Sequence, residues 1–215
     1  MQPDLIFTLL ILFVSVILHE VAHGYMADWL GDPTARLAGR LTLNPLPHID
    51  PVGTIILPLL LVLTNSPVFI GYAKPVPYNP YNLPGKYDEA LVAFAGPATN
   101  LLLALIFGFS IRFGGAALSA ELMGAFATIV YINLLLALFN LVPLPPLDGS
   151  KVLTGILGAV SRTLERGYET FCVNFQRIGM LPMILLILVV FNFVLRPVFV
   201  PALSALFELL TGASI

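Results

Sequence analysis

Of 215 residues, 58% are hydrophobic and only 10% charged, against roughly 25% charged in a soluble domain; with a mean hydropathy of +0.95 the chain belongs in a lipid bilayer. A net charge of −2 with no run of like charges leaves neither a basic surface nor a solvated tail, which excludes nucleic acid as a partner. The single cysteine, Cys172, excludes an internal disulfide and reads as a packing residue.

In chain order, the first apolar stretch runs from Leu5 to Ala27. Its start could pass for a secretory signal. No Lys or Arg precedes Arg36, however, and no small-x-small cleavage site follows Leu18, so the segment is expected to remain in the mature protein. Val52 to Tyr72 is interrupted by Pro58 and by the turn signal Asn65, Ser66 and Pro67. It reads as a re-entrant hairpin, because Thr54 to Leu63 as helix and Val68 to Lys74 as extended chain have similar reach. Three further crossings are predicted at Ala90 to Ile111, Leu122 to Leu141 and Met180 to Leu195, close to the roughly 20 residues that a span needs. Val198 to Leu210 is short for a span and is expected either to lie in the outer interface or to pack back on the bundle.

The fold predicted is an all-α polytopic membrane protein. It is a bundle of about four to six transmembrane helices, with the re-entrant hairpin and a short β-like segment near the cytoplasmic face. Residues 1–215 form one domain, with a catalytic core over about 5–151 and C-terminal helices over 152–215. With the N-terminus outside, the inner face holds Arg36, Arg40, Lys74, Lys86, Lys151, Arg162, Arg166 and Arg177, leaving only Arg112 and Arg196 outside. A fully spanning Val52 to Tyr72 would erase that bias.

His19, Glu20, Val21, Ala22 and His23 spell H-E-x-x-H. On a helix, residues four apart share a face, so both imidazoles can bind one metal while Glu20 reaches its water. Charge near bilayer depth is costly and persists mainly for function. The alternative is an interfacial cluster at a helix end. Leu5 to His19 rises about 21 Å in a core about 30 Å thick, which puts the pair near the inner boundary, where water can reach.

Two histidines leave a catalytic zinc one protein ligand short. Asp148 follows Pro143, Pro145 and Pro146, which cannot continue a helix, and precedes Gly149, which permits a sharp exit. Its carboxylate could turn inward as a ligand, or cap the next helix, predicted over Ser150 to Ala159. The topology puts it at the same membrane face as the histidines, which favours ligation.

Together, H-E-x-x-H at His19 to His23 and N-x-x-P-x-P-x-L-D-G at Asn140 to Gly149 closely resemble the site-2 protease family of intramembrane zinc metalloproteases. Gly96, Pro97, Ala98, Thr99 and Asn100, on the crossing between them, add a third family-like element. The resemblance implies one Zn2+ per chain at His19, His23 and Asp148, Glu20 as general base, and a catalytic role for Asn140. It suggests substrate binding by Asn100 and by Phe69, Ile70, Gly71 and Tyr72. It also implies a single-span, pre-trimmed membrane protein as substrate and a place in the bacterial inner membrane, with the active site near the cytoplasmic face. With no PDZ-like reader in the sequence, the compact bacterial type is expected.

Rival readings are specific enough to test. His48 and Asp50 form a second candidate ligand set, since His19, His23 and His48 are the only histidines. A transporter or channel with a metal site would use the proline-broken segments, but no inverted repeat is visible. A non-catalytic scaffold would have no need of Glu20. For a protease, Val68 to Lys74 is expected to offer a backbone edge to an unwound substrate.

Overall fold

The computed structural model describes residues 5–56 and 73–213. In lipid a chain must satisfy its own backbone polar groups, so the long apolar runs form helices. The helices are α1 (Leu5–Trp29), α2 (Thr34–Leu37), α3 (Asp88–Gly114), α4 (Ala120–Asn140), α5 (Asp148–Val160), α6 (Arg162–Arg177), α7 (Met180–Val190) and α8 (Arg196–Thr211). Among the described residues, four helical segments are long and apolar enough to cross a membrane: Leu5–Trp29, Asp88–Gly114, Ala120–Asn140 and Leu185–Thr211.

Helix α3 is the hub, packing against α1, α4, α5 and α8. Asp88 and Glu89 in its first turn and Arg112 in its last match the helix dipole. α4 starts where Ser119 accepts from the Leu122 N–H. Ala104 of α3, Val130 and Leu134 of α4, and Phe199, Leu203, Phe207 and Leu210 of α8 close one buried apolar cluster. The segment Val198 to Leu210 therefore packs back on the bundle. The chain also stays helical where a break was expected after Leu195. Pro197 removes an N–H donor, and the wider helical turn at Phe191–Leu195 carries the chain into α8.

The short β-like segment is not found: no strand occurs among the described residues. Pro75 and Pro77 have no N–H to give to a ladder. The neighbouring donors are taken elsewhere, Lys74 N–H by the His48 carbonyl, Val76 N–H by Glu20 and Asn79 N–H by Asp32. Residues 73–79 are an irregular strap held by the His48 carbonyl and by the side chains of Glu20 and Asp32. Of the hairpin predicted over Val52 to Tyr72, the described part is a helical turn at Pro51–Ile56; its remainder, with Phe69, Ile70, Gly71 and Tyr72, lies outside the described residues.

Candidate metal centre

Helix α1 stacks His19 and His23 one turn apart, and α3 presses on them through Gly96. A Cβ on Gly96 would stand 2.5 Å from His23 Nε2 and 2.6 Å from His19 Cε1, so only glycine lets the two helices meet here. Around it, α3 supplies a hydrogen-bond partner for each ring. His23 Nδ1 donates to the Val92 carbonyl at 2.7 Å, and His19 Nδ1 donates to Asn100 Oδ1 at 2.6 Å. Pro97, the next residue, has no N–H to offer the α3 carbonyls.

Asp148 arrives from the far half of the chain. The prolines after Leu141 end α4, and the turn closes through Leu147 N–H to the Leu144 carbonyl. α5 then starts with Asp148 in its first turn but without any side-chain cap bond. The carboxylate points at the imidazoles instead: Oδ2 is 3.1 Å from His19 Nε2 and 3.3 Å from His23 Nε2, and the two Nε2 atoms are 3.1 Å apart. Gly149 serves close approach, since a Cβ there would strike the Leu141 and Val142 carbonyls.

The donor set fits a zinc ion. Because both Nδ1 atoms give their protons to oxygen acceptors, both Nε2 atoms present lone pairs, and these converge with a carboxylate oxygen. Ligands about 2.0–2.2 Å from tetrahedral zinc stand about 3.3–3.5 Å apart, close to the spacing seen here. Among the described residues, His19, His23 and Asp148 are the one group of three such side chains arranged to hold a metal.

Glu20 lies beside this cluster, and its Oε2 accepts the Val76 N–H at 2.9 Å. The strap is pinned further along. Buried Asp32 accepts from Asn79 N–H at 2.6 Å and from Asn82 Nδ2 at 2.7 Å. Tyr78 donates to Glu89 at 3.0 Å and accepts from Lys151, one turn past Asp148.

Asn140 stays on its own helix, donating to the Leu136 carbonyl at 3.0 Å. His48 is buried away from the cluster, its Nε2 donating to the Thr42 carbonyl at 2.9 Å. Asp50 accepts the Gly53 N–H at 2.7 Å. The structure therefore brings neither member of the rival set to the histidine pair. Sequence reasoning missed Asn133 and Ser15, which lie behind Asn100, although an amide inside an apolar crossing is itself a signal. The Val92 carbonyl and Val76 N–H carry no side-chain signature at all.

Comparison with known proteins agrees with this geometry. The family model for peptidase family M50 matches residues 109–186, a stretch that includes Asn140 and Asp148. YwhC of Bacillus subtilis is 38% identical over 190 residues, covering 81% of this chain and 81% of its own. Rip2 of Mycolicibacterium smegmatis is 32% identical over 137 residues, 63% of this chain and 51% of its own. Rip2 of Mycobacterium tuberculosis is 31% identical over 140 residues, 65% and 53% respectively. All three names contain the words zinc metalloprotease. No solved structure matches the chain.

Proposed function

Given that the chain belongs to peptidase family M50 and is an intramembrane zinc metalloprotease, we propose that His19, His23 and Asp148 hold one zinc ion per chain and that Glu20 is the general base. The observation that carries this is the convergence of two Nε2 lone pairs and one carboxylate oxygen within 3.3 Å. Bound zinc supplies Lewis acidity, activating water and polarising the scissile carbonyl. Glu20 takes the water proton at Oε1 while Val76 N–H steadies Oε2, then returns that proton to the leaving amine. Asn140, at the mouth of the proline turn, holds the unwound substrate backbone beside Asp148, and Asn100 orients His19.

The substrate is a single-span membrane protein, already trimmed, whose helix must be unwound to expose a peptide carbonyl. The site faces the cytoplasm of a bacterial inner membrane. Supporting this, His19 and His23 in the C-terminal half of α1 meet Asp148, which follows the C-terminal end of α4, and Lys151, Arg162, Arg166 and Arg177 come after it in the sequence.

The test is cleavage of a model single-span substrate by the purified full chain. Glu20→Gln is expected to lower the rate roughly 10²- to 10⁴-fold while retaining zinc. Wild-type rates in that variant would overturn the assignment of the base.

A further inference from the structure

Behind His19 runs a chain of neutral amides. Asn100 Nδ2 donates to Asn133 Oδ1 at 2.8 Å. Asn133 Nδ2 donates to Ser15 Oγ at 3.0 Å and to the Ile129 carbonyl at 2.9 Å. Asn100 and Asn133 are both 0% exposed, and Ser15 is 3% exposed. Polar groups buried this completely in an apolar bundle persist when every member is satisfied.

The chain has a fixed direction. The Ile129 carbonyl can only accept, so Asn133 must turn its amide nitrogen toward it and its oxygen toward Asn100. Asn100 then offers nitrogen to Asn133 and oxygen to His19. His19 must answer with a proton on Nδ1, which leaves Nε2 bare for a metal. Two backbone carbonyls, Ile129 acting through Asn133 and Ser15 accepting directly from Asn100 Nδ2 at 3.5 Å, thereby determine the tautomer. The same links tie α1, which carries His19, to α4, whose end leads to Asp148.

We infer that Asn133, working through Asn100 with Ser15 behind it, is a positioning residue of the metal centre, part of an amide relay that holds the Nδ1–H tautomer of His19. Metal-bound histidines commonly give their second N–H to a carboxylate, a backbone carbonyl or water. At bilayer depth another buried carboxylate would add uncompensated charge, because a divalent ion, Asp148 and Glu20 already balance. The amides supply orientation without charge. This inference rests on the zinc reading above.

The experiment measures zinc affinity by chelator competition on the purified full chain, with nitrogen NMR of labelled imidazoles on the metal-free protein. Asn133→Leu is expected to weaken zinc binding about tenfold and to give His19 mixed tautomers. Asn133→Asp, which as a neutral acid keeps one donor and one acceptor, should restore affinity to within about threefold of wild type. In an Asn100→Leu background, Asn133→Leu should add little, as expected for residues acting in series. Should Asn133→Leu fail to fold, Ser15→Ala removes only the last link and is expected to weaken binding about threefold. Unchanged affinity and an unchanged Nδ1–H signal in a folded Asn133→Leu or Ser15→Ala protein would overturn the relay alone. A wild type that binds no zinc would overturn the relay and the zinc reading together.

Discussion

Gly96 is the residue on which the two helices of the site depend most directly. Its missing Cβ is the space in which His19 and His23 sit, so Gly96→Ala must push α3 off α1 or rotate both rings. Overpacking of this kind costs about 1–3 kcal/mol. The expected outcome is a folded chain of lower thermal stability that loses zinc on dialysis, checked by metal analysis beside a melting curve. His19, Glu20 and His23 were legible in the sequence because their grouping is local, fixed by helical spacing alone. Asp148 was legible only as a choice between cap and ligand, since proximity to residues 125 and 129 positions away is not written in its neighbours. Its carboxylate at 3.1 Å from His19, with no capping bond, favours the ligand. Asn133 went unread because a lone amide in a crossing looks the same whether it packs or positions.

At the scale of elements, the strap over residues 73–82 depends on Asp32. Burial raises that carboxyl, but hydrogen bonds from Thr34, Asn82 and the Asn79 N–H outweigh it and leave the pKa below its ordinary value. A carboxyl depressed on folding contributes stability above its unfolded value, near 3.9, and loses that contribution as pH falls through the folded one. The strap should therefore loosen only below about pH 4. Asp32→Ala should loosen it at neutral pH, at a cost of about 1–3 kcal/mol. Hydrogen exchange reads both effects: the Asn79 and Val76 amides should lose protection, while α4 amides keep theirs. The long crossings were legible because bilayer thickness fixes their length. The short β-like segment was misread because Pro75 and Pro77 remove ladder donors and the Val76 and Asn79 N–H groups go to distant side chains, pairings that local composition does not show.

For the molecule as a whole, the proposed orientation in the membrane rests on charge. Lys151, Arg162, Arg166 and Arg177 follow the site, and the positive-inside tendency assigns them to the cytoplasm. Cys172, the only cysteine, lies in α6 among them and is a natural reporter. Burial lifts its thiol above the usual value, so labelling belongs at mildly alkaline pH. A membrane-impermeant thiol reagent should leave Cys172 untouched in intact cells and modify it in inverted vesicles; the reverse pattern would turn the topology over. Among the described residues, the four helices long enough to cross were legible in apolar length. The joining of the last two apolar segments into one helix was not, because prolines read as breaks unless neighbouring helices hold the chain together.

The most direct test of the account is zinc content per chain after desalting, in wild type, Asp148→Ala and His48→Ala. Convergence of His19, His23 and Asp148 predicts about one zinc in wild type and in His48→Ala, and little in Asp148→Ala. Undiminished zinc in Asp148→Ala, or its loss in His48→Ala, would contradict the proposed ligand set.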